Sequence, residues 1–180
     1  MLLDEIPSLD LADFLSGDAN RKAKFVQDLG AAFNTIGFVA IKGHGLSNDF
    51  TKKLYSDVEQ FFQSPDSLKQ TYEIEGIAGQ RGYIGKRKET AKGFKVPDLK
   101  EFYHVGQDLS FIPDNDPIKS EYPENVWPNE VPQLKEDALE AYQTLENAGK
   151  QMLRAIALNL GVEEDYFEAK VAHGNSILRQ

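Results

Sequence analysis

The 180-residue sequence contains no cysteine. Disulfides, thiolate metal sites and a cysteine nucleophile are therefore excluded. Long apolar runs are also missing, and none approaches the roughly 18 residues that a membrane-spanning helix requires. The opening Met1-Leu2-Leu3-Asp4-Glu5 carries no basic residue and no long apolar stretch follows it, so a secretory signal is not expected. Positive charge is in deficit: 20 basic residues stand against 29 acidic ones, a formal net charge of −9. An excess of that sign repels a phosphate backbone, so nucleic acid is not an expected partner. The acidic residues are spread along the chain and read as solvated surface. These absences lead to the expectation of a cytoplasmic protein that meets neither nucleic acid nor membrane.

What is present suffices for a core. Hydrophobic residues make up 41% of the chain, with eleven Phe and seven Tyr, which argues against general disorder. The length is that of one domain or of a large part of a longer one.

Ile6-Pro7-Ser8-Leu9-Asp10-Leu11 alternates and predicts a short edge strand. Phe25, Val26, Leu29, Ala32, Phe33 and Ile36 recur at helical spacing, predicting a helix from about Ala19 to Ile36, capped by Asp18 and ended at Gly37. Phe38 to Ile41 predicts a short buried strand. A second helix is expected from Ser47 to about Gln63, with Ser47 as its cap, and a short one after Ser64-Pro65-Asp66. Between Glu73 and Pro97 periodicity is lost, so a flexible loop is expected there. Lys100 to Val105 reads as a strand, and Phe111 to Pro132 as a long connection that wraps another element or borders a site. The longest helix is predicted from about Pro132 to Leu160, with Leu134, Ala138, Ala141, Tyr142, Leu145, Ala148, Met152, Ala155 and Ile156 on one side. A short helix near Glu163 to Lys170 and a terminal strand at Ser176-Ile177-Leu178-Arg179-Gln180 complete the pattern. The few short strands look too isolated to form a good sheet among themselves.

Glycines at 76, 79, 82 and 85 resemble a phosphate loop in number only: Arg87 stands where Ser or Thr is needed, and no strand-to-helix context supports a dinucleotide site. Of the three histidines, none has a carboxylate two residues on, where Leu46, Gly106 and Asn175 stand instead. That removes the usual strand-borne start of a two-histidine, one-carboxylate iron site. His44 and His173 read as structural or surface residues. His104 shares a strand face with Phe102, while Glu101 and Tyr103 point the other way, so it is placed either in the core or on a pocket wall. Lys100 and Glu101 read as a charge pair at the strand edge.

Taken in order, these segments resemble the N-terminal half of the iron(II)- and 2-oxoglutarate-dependent oxygenases of the isopenicillin N synthase-like family. The resemblance rests on Ile6-Pro7 with Asp10-Leu11, Gly37-Phe38 with His44-Gly45, Arg81-Gly82-Tyr83, and Asp98, Lys100, Glu101, Tyr103 and Gly106. Trp127-Pro128 with Pro132, Leu160-Gly161, Asp165-Tyr166-Phe167 and Leu178-Arg179 complete it. It implies an α+β fold: a helix-rich N-terminal region, residues 1–180, with a few strands flanking a double-stranded β-helix (jelly-roll) core that lies mostly beyond Gln180. It implies an oxidoreductase that uses iron(II), dioxygen and 2-oxoglutarate to hydroxylate, desaturate or cyclise a small organic substrate. The family's iron and cosubstrate ligands fall in that core, so no catalytic or metal residue carries over, no cofactor is expected on this chain, and the chain alone is expected to be inactive. Gln80, Ile84 and His104 match positions that lie near the substrate in relatives. A missing C-terminal half or a second chain is the implied partner. The competing expectation is a non-enzymatic binding or interaction module.

Overall fold

The computed structural model describes residues 5–180; the opening Met1–Asp4, read above for a secretory signal, lies outside them. The chain divides into two compact units, Met1–Leu46 with Thr144–Gly174, and Ser47–Gln143 with Asn175–Gln180.

In the first unit a strand β1 (Ser8–Asp10) pairs in parallel with β2 (Ala40–Lys42), Leu9 facing Ile41. Between them run helix α1 (Leu11–Leu15) and helix α2 (Ala19–Ile36). Both begin on aspartates that satisfy otherwise orphaned backbone donors: Ala12 N donates to Asp10 Oδ1 (2.9 Å), and Asn20 N and Arg21 N donate to Asp18 Oδ1 (2.8 and 3.1 Å). The Arg21 and Asn20 amides hold the Asp18 carboxyl below its usual range. Gly37, at φ 77°, ends α2 in the left-handed conformation that glycine adopts without steric cost. Leu11, Phe14, Phe25, Leu29 and Ala155 form the unit's core.

Two expectations change here. The sequence places Phe38 in a buried strand, yet it is 69% exposed and β2 starts only at Ala40. A two-stranded sheet has little area to cover, and the turn at Gly37 leaves Phe38 outside the pairing. The helix expected at Glu163–Lys170 is reduced to α6 (Glu168–Val171), because Tyr166 N and Glu168 N donate to Glu163 O and Asp165 O in tight three-residue turns instead.

The second unit opens with helix α3 (Asn48–Phe62), whose cap Ser47 Oγ accepts from Phe50 N (3.1 Å). The short helix α4 (Asp66–Lys69), with Pro65 as its cap, and a 3₁₀ turn (Gln70–Tyr72) follow. Strands β3 (Gly82–Ile84), β4 (Phe102–Gly106) and β5 (Ile177–Arg179) form an antiparallel sheet in that order. The long connection after β4 carries one 3₁₀ turn (Pro117–Ser120), and helix α5 spans Gln133–Asn159, its residues up to Gln143 belonging to this unit and the rest to the first.

The short strands therefore do find partners. β3 lies inside the stretch expected to be loop, and β5 pairs with β4 so that His104 faces Gly82 on one side and Arg179 on the other. Three residues are too few to show periodicity, so pairing alone defines β3. Phe61 organises the core: Tyr72, Tyr83 and Tyr103 meet its ring edge-on, with centroids 6.0, 6.0 and 4.9 Å away. Leu134, Ala138 and Val105 complete that core. Leu145, expected on the apolar stripe of α5, is 40% exposed. Among the described residues no helix is long and apolar enough to cross a membrane.

Candidate functional site

A cavity of about 480 Å³ opens in the second unit beside the β3–β4–β5 sheet. Its wall is built by the Glu73–Gln80 turn, by Tyr83 and Ile84 of β3, by Lys88 and Glu89 of the following loop, by His104 of β4, and by Ile177 and Arg179 of β5. Gln80, Ile84 and His104, chosen from the sequence, all line it.

His104 is 5% exposed and bonded at both ring nitrogens. Nδ1 lies 2.6 Å from the Gly79 carbonyl oxygen, which can only accept, so Nδ1 carries the hydrogen. Nε2 then holds a lone pair and accepts from Arg179 Nε at 2.8 Å. The imidazole is thus a neutral ring in one tautomer. Burial pushes its pKa down, and the Arg179 and Arg81 charges add to that against the Gly79 bond and Glu89. Phe102 stacks on the His104 ring (5.8 Å, 23°), and the Arg179 guanidinium lies 4.0 Å above the Phe102 ring. Phe102 and His104 do share a face, as alternation requires.

Gln80 is oriented from behind. Asn175 Nδ2 donates to Gln80 Oε1 (2.9 Å), and Asn175 Oδ1 accepts from Arg81 Nη2 (2.8 Å). Arg81 also donates through Nη1 to its neighbour's carbonyl, Gln80 O (2.8 Å), while its Nε has no partner among the described residues. This guanidinium is fully buried and lies against Gly106, where an added Cβ would stand 1.9 Å from Arg81 Cζ. Burial lowers its pKa. Gly82 is required next door: at φ 73° its added Cβ would meet the Tyr72 carbonyl oxygen at 2.4 Å. The Arg81-Gly82-Tyr83 motif thus has a packing reason for each of its first two residues.

On the opposite face of β4, Glu101 accepts from Lys69 Nζ (2.7 Å) and Tyr83 Oη (2.6 Å), with Lys86 3.5 Å away. Burial would raise the Glu101 carboxyl, but the Lys69 and Tyr83 bonds outweigh it and hold it below its usual range. The expected Lys100–Glu101 pair does not form: Lys100 pairs with Asp98 (3.0 Å). Lys69, 2% exposed, is the partner that sequence reasoning missed, because nothing marks a helix-end lysine as buried. Arg179, Glu89, Arg81 and Asn175 were missed as cavity residues or supports because their partners lie far away in sequence. Two of them, Arg81 and Arg179, did stand in family motifs, Arg81-Gly82-Tyr83 and Leu178-Arg179, but without a role in the cavity.

His44 and His173 lie in the first unit. His44 Nδ1 accepts from Leu46 N (3.3 Å), and His173 sits at a left-handed φ of 56°. Among the described residues no three His, Asp or Glu side chains converge so as to hold a metal ion.

The fold and cavity define a mixed α/β region with small sheets bordering a ligand-sized hollow. Comparison identifies its kind. Residues 6–130 match the family described as non-haem dioxygenase in morphine synthesis, N-terminal. Validamycin A dioxygenase of Streptomyces hygroscopicus subsp. limoneus is 27% identical over 172 residues, covering 93% of this chain and 47% of that protein. A structure described as a 2OG-Fe(II) oxygenase family protein from Caulobacter crescentus superposes with a TM-score of 0.82 at 34% identity, over 98% of this chain and 55% of that one. A full-length Neurospora crassa protein solved in complex with alpha-KG gives 0.79 at 25% identity, over 99% and 55%. The chain belongs to the 2-oxoglutarate- and iron(II)-dependent oxygenases of the isopenicillin N synthase-like family and corresponds to their N-terminal half. It spans about half the length of the relatives it matches. Among the described residues no set of side chains fits the family's iron.

Proposed function

We propose that this chain is the N-terminal region of a cytoplasmic oxidoreductase that oxidises a small organic substrate with iron(II), dioxygen and 2-oxoglutarate. The observation that carries the reading is the convergence of Gln80, Ile84 and His104 on one cavity in a chain of this family. The cavity wall is the substrate's side of the active site. Iron, 2-oxoglutarate and their ligands belong to a double-stranded β-helix core supplied by residues beyond Gln180 or by a second chain.

In this reading Ile84 offers an apolar contact and Gln80 a polar one. The Gln80 amide oxygen is held by Asn175, and its NH₂ has no partner among the described residues, so it can donate to a substrate acceptor. His104 acts as a rigid neutral wall and not as a proton carrier, since both its nitrogens are engaged.

The test is an anaerobic iron(II) titration and a succinate-release assay with the chain as it stands. The expected result is no stoichiometric iron binding and no succinate. Iron bound one-to-one with turnover would overturn the proposal. An in-frame His-x-Asp, a later His and an Arg-x-Ser in the gene after codon 180 would support it independently.

A further inference from the structure

The Arg179 guanidinium is held from two sides by groups that do not neutralise it. Its Nε donates to the neutral His104 Nε2 (2.8 Å), and its plane lies 4.0 Å over the Phe102 ring. His104 cannot turn away, because its other nitrogen is fixed on Gly79 O. The remaining edge, Nη1 and Nη2, meets the Glu89 carboxylate at 3.5 and 3.1 Å. This is the two-pronged guanidinium–carboxylate pairing that arginine forms best, here at loose distances.

The two partners are held very differently. Arg179 sits in β5, paired to β4. Glu89 opens a loop whose ends are tied by Arg87 N to Asp98 O and Asp98 N to Glu89 O (2.8 Å each) and which exposes Phe94 and Val96, 73% and 76%. Both charged side chains are about half exposed where they meet. Among the other cavity charges, Lys88 already has Glu73 at 2.6 Å, and Glu75 adds a further carboxylate to the lining, which leaves Arg179 as the cation available to an incoming acid. Arg179 is thus the fixed cation of the cavity, and Glu89 the replaceable anion.

We propose that Arg179 anchors the carboxylate of a small organic acid in this cavity, and that Glu89 occupies the same edge as an internal stand-in when the acid is absent. The inference rests on the cavity being a substrate site, as proposed above. Ile74, Ile84 and Ile177 supply apolar wall beside the anchor, which favours an acid with an apolar body. A carboxylate is also present in 2-oxoglutarate, so the test separates the two sources.

Benzoate, benzamide, benzamidine and 2-oxoglutarate are titrated separately into the 180-residue chain by calorimetry, with the ¹⁵N shift of His104 Nε2 as the local readout. Benzoate is expected to bind and move the His104 signal, at least about tenfold more tightly than benzamide or benzamidine. Glu89→Gln, which removes the competing carboxylate, is expected to tighten benzoate about tenfold. Arg179→Gln is expected to abolish the preference over benzamide, and Arg179→Lys to retain only part of it, since a point charge lacks the fork. Thermal unfolding of each variant checks that the fold survives. Equal binding of benzamide, stronger binding of benzamidine or of 2-oxoglutarate, no binding of any probe, or an Arg179→Gln variant that still prefers benzoate would each overturn the assignment. The oxygenase reading stands or falls separately, on iron and succinate.

Discussion

At the scale of single residues, Arg81 and the two glycines that make room for its motif, Gly82 and Gly106, support the cavity wall from behind. Arg81 is a fully buried cation whose visible partners are a carbonyl and an amide oxygen, and it uses the empty space above Gly106. Filling that space is costly, because the neighbour is the guanidinium itself, fully buried and tied to Gln80 O and Asn175 Oδ1, so it has little room to move aside. Gly106→Ala is expected to lower stability by roughly 2 kcal/mol, within the range for overpacked interiors. It should also loosen Asn175, and through it the Gln80 amide. Urea unfolding measures the first effect, and the Gln80 and Asn175 side-chain NH₂ resonances report the second. A variant as stable as the parent, with those resonances unmoved, would show that Arg81 is not packed as described.

At the scale of elements, α3 and the N-terminal part of α5 meet through carboxylates. Asp137, 2% exposed, accepts from Lys53 Nζ (2.7 Å), and Asp57 and Asp137 each keep one buried oxygen without a partner among the described residues. Burial, then the Asp137 carboxylate, push the Asp57 carboxyl above its usual value, with Lys53 pulling the other way. The groups facing this pair are Lys53 and Asp57 from α3 and Glu136 and Asp137 from α5. A raised acid binds its proton more tightly folded than unfolded. Its contribution is therefore favourable at low pH and is lost as pH rises from the ordinary aspartate value through the raised one. Asp57→Asn is expected to flatten the fall in stability across that weakly acidic window and to leave the variant more stable than the parent at neutral pH. Urea unfolding at a series of pH values tests this; an unchanged slope would refute it.

At the scale of the whole molecule, the question is what its exposed apolar residues are for. Phe94, Val96, Leu99 and Phe111 in one unit, and Phe38, Leu160 and Tyr166 in the other, stand in solvent. Exposed apolar side chains become a contiguous patch, and so a covered surface, only where they adjoin one another, which dye binding reads directly. If the chain works as the N-terminal region of a larger oxygenase, it should bind an apolar fluorescent dye under native conditions and lose that signal when the remainder of the protein is supplied in trans. A folded chain that binds no dye would favour the non-enzymatic module instead.

Local chemistry was legible in the sequence wherever it is local in space. Asp18, Gly37 and Ser47 mark helix ends through backbone groups a few residues away, so α2 and α3 fall where spacing and caps place them. The family motifs likewise named Gln80, Ile84 and His104. The sequence by itself thus determined the long helices α2, α3 and α5, the family and three points on the cavity wall. Only the tertiary structure decided that β3 exists, that β5 completes its sheet, that Glu101 belongs to Lys69, and that Arg179 sits between His104 and Glu89. The reason is physical. A three-residue strand has no stability of its own, and a buried charge is tolerated only by the partner that folding brings to it. Neither leaves a periodic trace in the chain, because both are set by contacts between residues tens of positions apart.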